Sequence, residues 1–351
     1  MPRTVLLAAP RGFCAGVEMA IKALTWMVRV FEPPVYCYHE IVHNASVVEA
    51  FQRAGVIFVD AIEDVPEGAP VMLSAHGSGP EVVAAAASRA AVTVDAVCPL
   101  VTKVHHEVKR KADEGYDIIY IGHHGHDEAV GTVAEAPDAV TLVDPADGLD
   151  VFNPADPEKV ALVAQTTLGM YEWEDVLGEA GDRYPSLWTS RKSDLCYATT
   201  NRQQAIEVLA ERSDVVLVVG SATSSNTNAL VRVAEASATP AYRVDGPGAI
   251  EEGWLEGADV VGVTAGASAP DQAVRAVIEA IGPSDGVEEL RTATEDEYFP
   301  LPPSLRAFLT ALQAVVEAGY GAPAAKGGPL DSDREWTATA ALDLLGTSSA
   351  L

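Results

Sequence analysis

Basic side chains are scarce in this chain. Lysine and arginine number 23 against 51 aspartates and glutamates, for a formal net charge of −28 over 351 residues. Such a surface repels phosphate backbones and anionic lipid, so neither nucleic acid nor membrane is an expected partner. An anionic ligand would need a pocket of local donors. Long apolar runs are missing as well, and without a run of about 18 apolar residues no transmembrane helix is expected. Met1-Pro2-Arg3-Thr4 passes straight into Val5-Leu6-Leu7-Ala8-Ala9, without the apolar stretch and cleavage site of a signal peptide, so a cytoplasmic chain is expected. Four cysteines are too few for a disulfide framework. In a cytosolic chain, spaced cysteines point instead to metal or catalysis. G-x-G-x-x-G and P-loop fingerprints are absent too, which argues against nicotinamide or ATP chemistry.

What is present is an ordinary globular composition, 48% hydrophobic and 21% charged, long enough for two or three domains. Short apolar runs predict strands at 4–9, 34–38, 56–60, 70–74, 92–97, 117–121, 140–144, 159–164, 214–219, 241–245 and 259–264. Helical periodicity predicts helices at 16–31, 44–54, 80–90, 100–113, 171–182, 201–212, 226–236 and 270–281. This alternation predicts an α/β fold with largely parallel sheets, whose ligands bind where strands end and helices begin. The predicted strand ends are rich in small and polar residues, among them Ser74-Ala75-His76-Gly77, Gly122-His123-His124-Gly125-His126 and Gly220-Ser221-Ala222-Thr223-Ser224-Ser225-Asn226. Small residues let backbone amides approach a ligand, and helix N-termini offer unpaired N–H groups. Each loop alone also reads as an ordinary cap or turn. Beyond residue 285 the pattern changes to a helix at 304–318, a Gly/Ala/Pro stretch from Gly319 to Pro329 and a short helical end near 333–345. That segment reads as a partly mobile tail or arm.

Cys14, Cys98 and Cys196 each lie at a strand-to-helix junction, spaced 84 and 98 residues apart. The spacing suggests three α/β units of similar size, related by an approximate threefold axis that would bring the three sulfurs together. Thiols near helix N-termini should have lowered pKa values and act as soft ligands. A set of three suits a 4Fe-4S cluster with one open iron better than a four-ligand structural zinc site. The alternative for any one of them is a small buried hydrophobe, and Cys37, within an alternating apolar strand, is read that way. All eight histidines fall within residues 39–126, most of them in the strand-end loops. With Ser224, Ser225, Asn226 and Ser268 they make a neutral or switchable donor set suited to a diphosphate. His39-Glu40-Ile41-Val42-His43 matches the zinc-protease pattern H-E-x-x-H, but it follows a strand-like run and precedes Asn44, a helix N-cap, so the two histidines should not share a helix face.

In order along the chain stand PRGFCAGV (10–17), HEIVHN (39–44), SAHG (74–77), DAVCPLVTKVH (95–105), GHHGHDEAVGT (122–132), QTTL (165–168), DLCYATTNRQ (194–203), VVGSATSSNTN (218–228) and VTAGASAPD (263–271). In these stretches the chain closely resembles the IspH/LytB family of 4-hydroxy-3-methylbut-2-enyl diphosphate reductases, over about four-fifths of its length. The resemblance implies three α/β domains in a trefoil around a central 4Fe-4S cluster, held by Cys14, Cys98 and Cys196 with the fourth iron open. It implies domains at 1–96, 97–192 and 193–285, with a C-terminal arm over 286–351. Diphosphate and substrate contacts would fall to His43, His76, His126, Thr166, Ser224, Ser225, Asn226 and Ser268. Glu128 would be the proton donor, with His126 beside it, and Thr166 would orient the substrate hydroxyl. The implied reaction removes the allylic hydroxyl reductively, giving isopentenyl and dimethylallyl diphosphates, with electrons from ferredoxin or flavodoxin and its NADPH reductase. The chain departs from the family pattern at Asp127, where proline is expected, and at Ala129-Val130, where Val-Glu is expected. Two rival functions are an iron–sulfur redox sensor or carrier, and a paralogue that binds diphosphates without turnover.

Overall fold

The computed structural model describes residues 2–190, 193–320 and 333–347. The chain opens with β1 (Thr4–Ala9) and α1 (Ala15–Val30). It continues through β2 (Val35–Tyr38), α2 (Ala45–Arg53), β3 (Val56–Val59), β4 (Pro70–Leu73), α3 (Pro80–Arg89) and β5 (Val92–Asp95). Next come α4 (Pro99–Asp113), β6 (Asp117–Ile121), α5 (Asp127–Val133), β7 (Val140–Val143), β8 (Val160–Ala164), α6 (Met170–Arg183) and β9 (Trp188–Thr189). Then follow α7 (Tyr197–Glu211), β10 (Val215–Val219), α8 (Ser225–Ala236), β11 (Ala241–Val244), β12 (Val260–Ala265), α9 (Asp271–Ile281) and β13 (Gly286–Arg291). Two helices close it, α10 (Pro303–Tyr320) and α11 (Ala338–Thr347).

The strands form three parallel sheets, ordered β3-β2-β4-β5, β7-β6-β8-β9 and β11-β10-β12-β1-β13. The α/β class expected from the alternation is the one observed. Each sheet repeats one plan. In the two four-stranded sheets the first strand connects through a helix to the strand on one side and the next two strands run out to the other side; the five-stranded sheet does the same from β10, with β1 inserted between β12 and β13. The reversal of order falls between β2 and β4, between β6 and β8, and between β10 and β12. A crevice opens at the carboxyl ends of strands where order reverses.

Two compact units divide the chain. The first comprises Met1–Cys14 with Leu100–Asp296 and carries the β6–β9 sheet and the five-stranded sheet. Both sheets are covered on two faces, so β8 (VALVA) and β10 (VVLVV) are buried at every residue. Unbroken β-branched and aliphatic runs are what two-sided burial selects. The second unit comprises Ala15–Pro99 with Glu297–Leu351 and carries the β2–β5 sheet.

Two expected domain limits shift. β1 does not join the strands that follow it in sequence but lies between β12 and β13, with Thr4 aligned to Val260 and to Gly286. β13 was expected in the C-terminal arm and is instead an edge strand of that sheet. The physical reason is the central slot of a parallel sheet, which the apolar β1 fills while the more polar GVEELR of Gly286–Arg291 takes the rim, exposed at Val287, Glu288 and Glu289.

The C-terminal segment is also more than a mobile arm where it is described. Phe308 of α10 stacks on Phe31, with ring centroids 5.1 Å apart. Trp336 meets Trp26 edge to face at 5.8 Å. Ala338 N–H donates to Glu18 at 2.6 Å, and α11 packs on α1 and α2. Lys22, buried in α1, donates to the Asp333 carbonyl at 2.7 Å and pairs with its carboxylate at 3.3 Å, while Tyr298 donates to the same carboxylate. The Gly/Ala/Pro stretch expected at 319–329 falls, from 321 onward, outside the described residues.

Removing one partner of a buried pair strands the other charge. Asp333→Ala is therefore expected to lower unfolding free energy by about 3–5 kcal/mol, measured by urea denaturation. The apolar double substitution Lys22→Met with Asp333→Leu should recover most of that loss.

Candidate active site

The predicted histidine, serine, asparagine, Glu128 and Thr166 positions sit at the three order reversals, whereas Cys14, Cys98 and Cys196 follow β1, β5 and β9. In the second unit, His43 follows β2 and His76 follows β4. Their rings stack with centroids 4.0 Å apart. Glu40 lies 3.3 Å from His43 Nδ1, and the Ser74 hydroxyl lies 3.3 Å from His76 Nδ1. His39 takes a left-handed φ of 59° and the helix begins only at Ala45, capped by Asn44, whose side chain accepts from Val47 N–H. The H-E-x-x-H pattern therefore lies off any helix, as its context implied. Cys98 N–H donates to the Ala75 carbonyl at 3.0 Å, which ties its strand end to the His76 loop, and Pro99 takes the first helical position after it. Cys37 is fully buried in β2, and burial pushes its thiol pKa up, consistent with a core side chain.

The first unit gathers the remaining candidates. The loop after β6 enters α5, a seven-residue helix that sequence periodicity missed because it is so short. His126 is its N-cap, its Nδ1 accepting the Glu128 N–H at 3.1 Å. In neutral His126 the proton then sits on Nε2, a donor suited to an anion. Glu128 is buried in the first turn. Its Oε1 accepts from Thr166 N–H at 2.6 Å and its Oε2 from the Thr166 hydroxyl at 3.1 Å. A hydroxyl can donate to a carboxylate or accept from a carboxylic acid, so this contact serves both protonation states.

Cys196 is the N-cap of α7, which starts four residues before the predicted helix. Its sulfur does the capping, accepting Thr199 N–H at 3.3 Å, with the Thr199 hydroxyl at 3.1 Å. Its own N–H donates to the Thr166 carbonyl at 3.0 Å. A relay of bonds leads from there to Cys14. Asn226 Nδ2 reaches the Thr199 hydroxyl at 3.4 Å, its Oδ1 accepts Ala267 N–H at 2.9 Å, and the Ala267 carbonyl accepts Cys14 N–H at 3.2 Å. Ser224 caps α8 by accepting Thr227 N–H at 3.3 Å, and the Ser268 hydroxyl lies 3.5 Å from its oxygen. Ser225 accepts from Gln165 Nε2 at 3.2 Å, and Gln165 Oε1 accepts His123 N–H at 3.0 Å. Gln165 thus links the two crevices of this unit. A Cβ on Gly220 or Gly266 would collide with Thr227, so the backbone can approach the α8 N-terminus there only as glycine.

Sequence reasoning missed three residues that hold this arrangement. Thr199 and Gln165 lay inside quoted motifs without an assigned role. Arg202, also inside a quoted motif without an assigned role, is fully buried in α7. Its guanidinium donates to the Gly12 carbonyl at 2.8 Å, to the Ala198 carbonyl at 3.0 Å and to Glu295 at 2.8 Å. Gly12, at φ 68°, makes the turn that brings its carbonyl there. The Cys196 thiol also differs from expectation. Burial, with Cys14 close by and Thr199 opposing, pushes the Cys196 pKa up to about 11 instead of lowering it. Desolvation outweighs the helix N-terminus. A thiol held neutral in this way becomes a thiolate when a cation compensates, which is the chemistry of a soft-metal site.

These features define a parallel α/β protein with two half-buried thiols, Cys14 and Cys196, and a buried carboxyl–hydroxyl dyad at crevices lined by neutral donors. The family model described as LytB protein matches residues 5–282. The chain belongs to the LytB family. The 4-hydroxy-3-methylbut-2-enyl diphosphate reductase of Mycobacterium ulcerans is 48% identical over 307 residues, covering 87% of this chain and 92% of that protein. The structure of E-1-hydroxy-2-methyl-but-2-enyl-4-diphosphate reductase from Plasmodium falciparum superposes with a TM-score of 0.85 at 32% identity, over 89% of this chain and 100% of that one. A second structure, of (E)-4-hydroxy-3-methyl-but-2-enyl diphosphate reductase, the terminal enzyme of the non-mevalonate pathway, superposes at 0.57 with 28% identity, over 80% and 99%.

Arg202→Met removes the buried charge that joins α7 to the Cys14 loop and leaves Glu295 without its cation, with only the Asn201 amide donating to it. Equilibrium unfolding should show a loss of about 3–5 kcal/mol, larger than for Glu295→Gln, which keeps a neutral acceptor for the guanidinium.

Proposed function

We propose that this chain reduces 4-hydroxy-3-methylbut-2-enyl diphosphate to isopentenyl and dimethylallyl diphosphates, the last step of the non-mevalonate route to isoprenoids. The observation that carries the reading is the Glu128–Thr166 dyad, buried beside Cys196 in a member of this family. The allylic C–O bond breaks, two electrons and two protons enter, and the oxygen leaves as water. Cys14, Cys98 and Cys196 would hold a 4Fe-4S cluster that supplies the electrons and a Lewis-acidic iron for the departing oxygen. The soft, half-buried donors fit that group, and Thr199 N–H donating to the Cys196 sulfur is the kind of contact that tunes such ligands.

The remaining work falls to the protein's own residues. Glu128 holds the proton for the leaving hydroxyl, and Thr166 fixes the carboxyl and orients that hydroxyl. His126, through Nε2, with His43 and His76, receives the diphosphate as a hydrogen-bonded anion. Ser224, Ser225, Asn226 and Ser268 add neutral donors at the α8 N-terminus and the loop after β12, where the helix end itself favours negative charge. Holding the diphosphate fixes the short allyl chain in one orientation. In a chain with 28 excess negative charges, such donors are the means of attracting a diphosphate without free lysines. Electrons delivered singly suit a ferredoxin or flavodoxin with its NADPH reductase. Among the described residues no helix is long and apolar enough to cross a membrane, in keeping with work in the cytoplasm.

Anaerobic purification should give a broad absorption band near ~410 nm from iron–sulfur charge transfer. Cys14→Ser, Cys98→Ser and Cys196→Ser should each abolish it, whereas Cys37→Ser should retain full iron content. A dispensable member of the trio would overturn the ligand assignment.

Glu128→Gln has nearly the same shape and should leave iron content and substrate binding intact. Single-turnover reduction should slow by roughly 10²–10⁴-fold, the usual worth of general acid catalysis. Wild-type rates would remove Glu128 from the proton-donor role.

A further inference from the structure

Helix α5 carries Glu128 in its first turn, yet it has only seven residues. A helix that short has no stability of its own in water, so its position depends on what grips it. One end is held by the His126 cap and by Thr166. The other end is held by a buried ionic clasp that the reaction does not touch. Glu135 lies two residues beyond α5 with its side chain only 5% exposed. Its Oε1 lies 2.7 Å from His105 Nδ1 and its Oε2 lies 2.5 Å from Lys109 Nζ. His105 and Lys109 are four residues apart on α4, so one face of that helix presents both. Between the clasp and Glu128, Ala129 of α5 packs with Val104 and Val108 of α4 and with Tyr120 of β6 in one buried cluster.

The charges in the clasp are distinct. Burial lowers the His105 pKa, against the pull of Glu135, so the ring is neutral and donates Nδ1–H to the carboxylate. Lys109 supplies the compensating positive charge from a half-exposed position. Burying a carboxylate is costly unless it is paired and hydrogen-bonded. An apolar contact would hold two helices together at less cost, whereas a two-point polar grip fixes angle and register.

We propose that His105 and Glu135 are positioning residues for Glu128, the clasp setting α5 against α4 so that the carboxyl meets Thr166 and the leaving oxygen in line. This rests on Glu128 being the proton donor. Held only at its N-terminal end, so short a helix pivots about His126, and displacement of a reacting group by about 1 Å costs on the order of 10²-fold.

The test uses the full-length, iron-loaded protein with a chemical reductant and the allylic diphosphate. His105→Leu is expected to lower kcat roughly 10- to 100-fold, with KM within about threefold of the wild type, since the diphosphate donors lie elsewhere. His105→Asn, whose amide N–H stands near the Nδ1 position, should restore most of the rate. In the Glu128→Gln background, adding His105→Leu should lower kcat by less than about twofold, because the group being positioned is already lost. If His105→Leu does not fold, Glu135→Gln carries the same comparison with an isosteric side chain. Wild-type kcat in His105→Leu, a parallel rise in KM, or multiplicative losses in the double variant would each overturn the clasp. Wild-type kcat in Glu128→Gln alone would instead overturn the proton-donor reading on which it stands.

Discussion

A guanidinium with no access to water holds the first unit's thiols in relation to one another. Arg202 has its three acceptors on α7 itself, on the Cys14 loop and on Glu295, which follows β13. Placing a charge there is expensive, and the oxygens that its two terminal nitrogens reach offset the cost, the buried Nε–H having no acceptor. The Gly12 turn, the course of the chain after β13 and the start of α7 are therefore not independent. Shifting any of them leaves a buried N–H or a buried charge unmatched. The relay Cys196–Thr199–Asn226–Ala267–Cys14 then runs over ground this ion pair has already fixed.

A strongly acidic protein that takes a doubly charged anion has to separate local from global electrostatics. The distribution of its donors shows how. The candidates are imidazoles, hydroxyls, an amide and helix ends, groups whose attraction for an anion acts over a few ångströms and does not depend on net charge. They stand where strand order reverses, so the same topology that builds the sheets also builds the crevices. His126 illustrates the economy of this arrangement. One ring nitrogen caps the helix that carries Glu128, so the proton of the neutral ring lies on the other.

Strand-to-helix alternation made nearly every long element legible from residue patterns, with limits off by one or two positions. The similar spacing of Cys14, Cys98 and Cys196 suggested three α/β units, and three parallel sheets are present, the third with β1 inserted into the order that the other two share. What escaped notice did so for physical reasons. α5 is too short to show a period. β13 is polar along its exposed face and reads as a loop. β1 pairs with strands more than 250 residues away, and nothing local marks that choice. Cys196 acts as a helix cap through sulfur, an unusual capping atom, so the start of α7 was placed too late. The raised thiol pKa was hidden because burial, unlike helix position, cannot be read from spacing. The clasp of His105, Lys109 and Glu135 joins three residues that no motif connects.

The place of β1 also sets an order of events for the growing chain. Thr4 to Ala9 leave the ribosome first, yet their sheet partners are Val260–Val263 and Gly286–Arg291. At about 5–20 residues per second, the first strand waits on the order of 15–60 seconds for the strands that will flank it. During that time Cys14, just beyond β1, has no fixed position, whereas the β2–β5 sheet can already close around the Cys98 junction. The thiol nearest the amino end is thus the last of the three to be put in place. Any metal group requiring all three must arrive after synthesis is nearly complete.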